Sequence, residues 1–442
     1  MTAAGPATRT APAAPGTGHD SAAVTAAPSG RPHSGRTVVT GIGIAAPNGL
    51  GTEAYWHALL RGRNGIDRIR RFDPAQYPVT LFGEVPDFTA KDHLPSRLLP
   101  QTDHMTQLAL TAAEWALEDA GVTPGSLPTF DMGVVTANAY GGFEFSQREL
   151  EKLWSRGGNH VSAYQSFAWF YAVNSGQVSI RHGMRGPGGV IVSEQSGGLD
   201  AVAQSRRQVR KGMPLLLSGG IDGALCPFGW AAYLTNSQLS TATDPERAYL
   251  PFDAAASGWI PGEGGALLVV EDEAGARARG AARPYGEIRG YAAGFDPAPD
   301  SGRPPVLRRV IEQALADAGL APADIDVVFA DAAAVPELDR IEAAAITAVF
   351  GVRGVPVTVP KTMTGRLAAG GSALDLATAL LTLRHGVIPP TVHVATPAPG
   401  CEDLDLVLGE PRPGTPRTAL VIARGYGGFT SAMAVSAPRD AA

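Results

Sequence analysis

Ala116-Leu-Glu-Asp-Ala-Gly-Val122 returns later in the chain as Ala314-Leu-Ala-Asp-Ala-Gly-Leu320. The first copy closes residues 103–121, where Leu108, Ala112, Trp115 and Ala116 fall at helical spacing. Gly121 stops that helix and Pro124 follows, the ordinary end signals. A buried strand is predicted next, over residues 131–137 (DMGVVTA). After the second copy, Gly319, Pro322 and the apolar run 327–330 repeat the same order. Two unrelated αβ units can share such an order by chance. An internal duplication explains it better: two α/β halves, each a sheet with helices packed on it. Strands are also predicted at 36–40 (RTVVT) and 266–270. The seam is expected near 274–283, a small-residue, arginine-rich stretch.

The bulk properties fit such a fold. The chain has 442 residues, 44% hydrophobic and 18% charged, with a net charge of −6. Its mean hydropathy of +0.01 is that of an ordinary globular protein. Nothing approaches a transmembrane run, so no membrane span is expected. The charge is not basic enough for a nucleic-acid footprint. Two cysteines, Cys226 and Cys401, make neither a disulfide framework nor a thiolate metal site, which suits the cytoplasm. Residues 1–35 are built almost wholly from Ala, Pro, Gly, Thr and Ser. They are expected to be a disordered tail, too poor in apolar surface to offset ordering entropy. Arg9 and Arg31 fit a transit peptide only weakly, because the prolines break any amphipathic helix. The expected halves are residues 36–275 and 276–437.

Several chemical motifs fail. Gly41-Ile-Gly43-Ile-Ala-Ala46 fits the loose dinucleotide pattern, but Pro47-Asn48-Gly49 stands where the helix should begin. A tight structural turn is the reading preferred here. There is no phosphate loop and no H-E-x-x-H. His182 and His385 read as surface or capping residues, and no metal site is expected.

Four stretches together resemble the β-ketoacyl synthase branch of the thiolase superfamily. They are Val192-Ser-Glu-Gln-Ser-Gly-Gly-Leu-Asp200, Pro251-Phe-Asp253 with Gly262-Glu-Gly-Gly265, Lys361-Thr-Met-Thr-Gly-Arg366, and Gly425-Tyr-Gly-Gly428. The resemblance implies an α/β chain with the thiolase fold, a duplicated five-layer αβαβα architecture, which agrees with the repeat. Family members that condense carry a cysteine where a strand turns into a helix. That helix lowers the thiol pKa, and backbone amides can hold an oxyanion there. Here the position is Gln195, which cannot carry an acyl chain. The two catalytic histidine positions hold Asp331, counted back from Pro336 and Asp339, and Arg366. Asp331 would oppose the negative charge of the reaction, and Arg366 cannot shuttle protons.

All three substitutions on one scaffold resemble the chain-length factor, the ketosynthase β subunit of bacterial type II aromatic polyketide synthases. Ala46-Pro-Asn-Gly-Leu50 and Ser166-Phe-Ala-Trp-Phe-Tyr-Ala172 carry the same likeness. It implies a heterodimer with a ketosynthase α subunit, fed by an acyl carrier protein through its phosphopantetheine arm, with no cofactor of its own. It also implies a tunnel gate at Phe143, Ser146, Leu150 and Phe167. Residues 143, 146 and 150 share one helical face, so plain core packing is the competing reading. Small, polar Ser146 suits a wall that leaves room, and Leu150 a fairly open gate. Gln195 could instead hold a malonyl thioester carbonyl and promote decarboxylation to an acetyl starter. Lys361 reads as framework, with Glu342 as the expected partner.

Overall fold

A computed structural model describes residues 32–298 and 301–439. Its main sheet contains β1 (Thr37–Ala46), β2 (Met132–Ala137), β3 (Gly188–Ile191), β4 (Leu215–Asp222), β5 (Gly264–Asp272), β6 (Gly286–Phe295), β7 (Val327–Phe329), β8 (Pro356–Thr358), β9 (Asp405–Leu406), β10 (Thr418–Arg424) and β11 (Phe429–Ser436). The helices are α1 (Thr52–Leu60), α2 (His104–Asp119), α3 (Phe143–Arg156), α4 (Gln165–Ala168), α5 (Val173–His182), α6 (Gly197–Arg210), α7 (Pro227–Tyr233), α8 (Glu273–Ala278), α9 (Leu307–Ala318), α10 (Pro336–Phe350) and α11 (Ala369–His385).

The duplication is visible in the strand order. The first half runs β3-β2-β4-β5-β1 and the second β8-β7-β10-β11-β6, with β9 added at the outer edge. Each half has the same directions: β2 is parallel to β3 and β4, and β7 to β8 and β10. β5 is antiparallel to β4 and β1, and β11 to β10 and β6. Only Val38–Glu287 and Val39–Gly286 join the halves edge to edge.

Strand alternation then builds the layers. On β4, Leu216 faces a central core while Leu215 and Leu217 face an outer one with α2 and α5. On β10, Val421 joins the central core and Leu420 and Ile422 an outer one with α9 and α10. Strands covered on both faces read as continuous apolar runs, as these do. α6 and α11 pack on each other between the two sheets. α11 is small or apolar on nearly every side and is buried from Ala369 to Leu383, as a helix at the centre of five layers must be. Each Leu buried there contributes about 1.5–3 kcal/mol relative to exposure.

Gly41 and Gly43 do not form the expected turn. Both lie inside β1, and the turn comes later, at Pro47-Asn48. A Cβ at Gly41 would lie 2.1 Å from the Ala116 carbonyl oxygen, and at Gly43 2.0 Å from that of Ala112. The glycines therefore let the backbone of α2 press onto the strand. The seam expected at 275/276 falls inside α8, and the repeat itself resumes with β6 at Gly286.

Residues 1–31 of the expected tail lie outside the described residues. At its end, the Ser34 and Gly35 amides already donate to Asp272, so residues 34–35 belong with the folded chain. His182 is buried rather than at the surface, and His385 stacks on Trp56. Among the described residues no helix is long and apolar enough to cross a membrane. Nor do three or more His, Cys, Asp or Glu side chains there group to hold a metal ion.

Candidate functional site

Three chain turns converge beside the central helices. The first follows β3, where Glu194 adopts φ 48° before α6 begins at Gly197. Gln195 sits in this elbow with no exposed surface. Its Oε1 and Nε2 make no hydrogen bond among the described residues. A Cβ at Gly371 would come within 2.3 Å of Nε2, so the amide is shut against the first turn of α11. Next to it, the Glu194 carboxylate accepts from the Tyr426 amide at 2.9 Å. Burial pushes the Glu194 carboxyl above its ordinary value, and nearby Arg366 opposes that rise.

The second and third turns carry Asp331, after β7, and Arg366, after Lys361. The charges that seemed at odds with catalysis in the sequence meet here. Arg366 donates to both Asp331 carboxylate oxygens, at 2.9 and 3.2 Å. It donates also to the Arg424 carbonyl at 2.8 Å, while the Arg424 amide returns a bond to Asp331. Both partners of the pair are buried, at 6% and 2% side-chain exposure. Burial would lower the Arg366 pKa, but the charge and hydrogen bond of Asp331, together with Tyr249 and Glu194 nearby, outweigh it and hold it above its usual value. The guanidinium lies 5.9 Å from the Trp259 ring centroid.

Lys361 pairs with Asp375 at 2.7 Å and donates to the Ala330 carbonyl. Glu342, the partner expected from the sequence, is occupied elsewhere: it accepts the Asp331 and Ala332 amides at 2.7 and 2.8 Å. It thus fixes the turn that presents Asp331. A cavity of about 450 Å³ opens onto Asp331, Arg366, Glu194, Trp259 and Tyr426, but Gln195 is not among its lining residues. The carboxylate and the guanidinium are spent on each other, and a carboxamide at the elbow is not a nucleophile for thioesters. Both cysteines are elsewhere and buried, which raises their thiols to about 11 (Cys226) and about 12 (Cys401). Cys226 caps α7 by accepting from the Gly229 amide.

The second cluster lies on α3. Phe145 and Glu149 are its only fully buried residues. Phe143, Ser146 and Leu150 occupy another side and are half-buried. Phe143 stacks on Phe228 at 5.1 Å and meets Tyr140 edge-on. The Gln147 side chain on α3 accepts from the Phe228 amide, tying α7 to the same helix. Ser146 accepts a long, 3.4 Å bond from Gln165 of α4. Phe167 is on α4 too, but its ring lines a different cavity, of about 550 Å³, beside α5. The structure therefore brings residues 143, 146 and 150 together and sets Phe167 apart. Phe228 was not found from the sequence, which offers only an aromatic after a proline at a helix start. The Asp331–Arg366 pair had a signal that could have been used: opposite charges at two positions that both hold histidine in condensing relatives.

Residues 35–276 match the family Beta-ketoacyl synthase, N-terminal domain, and residues 285–395 its C-terminal domain. The chain belongs to the β-ketoacyl synthase family. Within it the chain falls among the ketosynthase β subunits, the chain-length factors of type II polyketide synthases. It is 61% identical over 395 residues to the actinorhodin polyketide β-ketoacyl synthase 2 of Streptomyces coelicolor, covering 89% of this chain and 97% of that one. It is 60% identical over 399 residues to the tetracenomycin polyketide synthase ketoacyl synthase beta subunit of Streptomyces glaucescens, covering 90% and 97%. Among solved structures, the ishigamide ketosynthase/chain length factor matches with TM-score 0.81 and 27% identity, over 91% of this chain and 99% of that one. A type II ketosynthase solved with its acyl-carrier protein and a hexaketide matches with TM-score 0.82 and 25% identity, over 92% and 100%. The β-ketoacyl synthase scaffold is thus matched in both halves of the chain.

Proposed function

We propose that the chain is the non-condensing, length-setting half of a polyketide ketosynthase. It pairs with a homologous α subunit that supplies the cysteine and histidines. Malonyl units arrive on the phosphopantetheine arm of an acyl carrier protein, and this chain needs no cofactor of its own. The poly-β-ketone grows along the subunit interface, where a water-poor wall suppresses hydrolysis and stray aldol chemistry. Phe143, Ser146 and Leu150 limit its length.

The observation that carries this reading is the partial exposure of the α3 stripe. A helix that merely filled the core would bury Phe143, Ser146 and Leu150; here all three are half-buried, Phe143 against the cluster around Trp230, and only Phe145 and Glu149 are fully buried. The stripe also continues toward exposed apolar surface. Nine of the fourteen large hydrophobics that stand exposed among the described residues lie between Leu153 and Phe228, including Trp154, Trp169, Phe170 and Ile180. β3, in the same region, is the outermost strand of its sheet edge. An open strand edge beside apolar surface is a place for a partner. The solved relatives fit: one is a ketosynthase/chain length factor, another a ketosynthase complexed with an acyl-carrier protein.

The lone chain, incubated with malonyl carrier protein, is expected to gain no covalent acyl group by intact-mass analysis and to form no carbon–carbon bond. Adding the α subunit is expected to restore polyketide formation. An acylated lone chain would overturn the proposal.

A second reading has one observation behind it. The Gln195 amide has no hydrogen-bond partner among the described residues, so its donors could serve a malonyl thioester carbonyl and favour decarboxylation. The cavity beside it is not lined by Gln195. We therefore expect Gln195→Ala to leave acetyl-starter supply and total polyketide unchanged in the paired enzyme. A several-fold fall in starter supply at normal protein level would favour the decarboxylase reading instead.

A further inference from the structure

α3 is weakly anchored by its own side chains, since only two of its fourteen residues are fully buried. Its first turn also lacks a cap of its own: the N-cap residue is Gly142, which has no side chain to accept a bond. The first amides of a helix need an acceptor from somewhere. Here it comes from another helix. Asp103, 2% exposed, is the N-cap of α2 and accepts the Met105 amide through Oδ1 at 2.9 Å. Its other oxygen, Oδ2, accepts the Phe145 amide of α3 at 2.7 Å. One carboxylate therefore caps two helices, and both N-termini present partial positive charge to it.

The two helices differ in what holds them. α2 is fixed in the outer core by Met105, Leu108, Ala112 and Ala116. α3 follows the position that Asp103 gives it. On the opposite side the Gly142 amide donates to the Trp169 carbonyl at 3.0 Å. A Cβ on Gly142 would come within 2.0 Å of the Ala168 carbonyl oxygen and 3.2 Å of the Asp103 Cβ, so the start of the helix is closely clasped. The tethered residue, Phe145, lies between Phe143 and Ser146.

We propose that Asp103 is a positioning residue for product length: through the Phe145 amide it fixes the first turn of α3, and so sets where Phe143 and Ser146 stand in the tunnel wall. The inference rests on the gate assigned to α3 above. Releasing that turn lets Phe143 leave its stack on Phe228 and opens the wall.

The discriminating variant is Asp103→Ser, in the chain co-expressed with its α subunit. A serine is as good an N-cap for α2 as aspartate, but its single short hydroxyl does not reach the second helix as well. The ratio of longer to native-length polyketides is expected to rise about fivefold, in line with the loss of one helix cap. Amide exchange over residues 143–147 should quicken while α2 stays protected. A merely structural role lowers total product and leaves that ratio unmoved. Asp103→Asn, with one acceptor oxygen for two amides, is expected to shift the ratio the same way by less, and it serves if the serine variant does not assemble. Native product ratio and native exchange in whichever variant assembles would sink the inference. Ser146→Trp, run alongside, separates the two levels. If it changes length while the Asp103 variants do not, the gate stands and the positioning role falls; if none of them changes length, the gate itself is wrong.

Discussion

Ser146→Trp in the co-expressed pair is expected to shorten the dominant polyketide by at least one two-carbon unit, with total carbon flux falling no more than a few-fold. Ser146 sits mid-stripe on α3, one turn from Phe143 and one from Leu150, on the half-buried side of the helix. It is the one small side chain among the three, so the space beside it is where a growing chain can pass. An indole there takes up area that a large aromatic ordinarily buries, about 150–250 Å². The folding penalty should be slight. Ser146 is only half-buried, and its hydroxyl is held by a long hydrogen bond from Gln165. A surface-like substitution of that kind usually falls within about 0.5 kcal/mol of neutral. The effect should therefore appear in product length, read by mass spectrometry of extracted polyketides, and not in the amount of folded protein. Unchanged length at normal protein level would reject the gate. A fall in soluble protein matching a fall in product would return α3 to the role of a core helix.

What could be read in advance divides along a physical line. The duplication was legible because helix, glycine stop, proline-bearing turn and buried strand are each written in a few adjacent residues. The family was legible because the stretches around Gln195, Glu263, Lys361 and Gly425 are each written in a few adjacent residues. Features created by distant segments were not. Gly41 and Gly43 look like a turn, and only the approach of Ala112 and Ala116 on α2 shows why they are glycine. Lys361 has several acids within the chain to choose from. Glu342 is taken by two backbone amides, which leaves Asp375. The spacing of Phe143, Ser146 and Leu150 defines a face without saying which way it points; that depends on where Phe145 and Glu149 find partners. Glu149 pairs locally with Lys152 but also accepts the Ser162 amide, a contact no local pattern contains.

The Asp331–Arg366 pair bears the second large effect. Removing either partner alone strands the other in a site with almost no solvent, and such breaks typically cost about 3–5 kcal/mol. Arg366→Ala is expected to lie in that range, because Asp331 would keep only the Arg424 amide as a side-chain contact among the described partners. Asp331→Ala should be milder, since Arg366 retains the Asp331 and Arg424 carbonyls. Removing both leaves no unpaired charge, so the double variant should cost clearly less than the two singles added together, with a coupling of about 1–3 kcal/mol. Denaturant unfolding of the four proteins measures it. Asp331→His with Arg366→His tests the same point by another route. Two neutral imidazoles restore the residue types of the condensing relatives without a buried charge, and they should be tolerated better together than either is beside the remaining charge. With Gln195 unchanged, that double variant should still gain no acyl group from malonyl carrier protein. Additive single effects would show that the two residues entered the site independently. Strong coupling would mean that, once a charge replaced one histidine, the opposite charge at the other position became the stable complement, and the scaffold could keep its shape after its chemistry was lost.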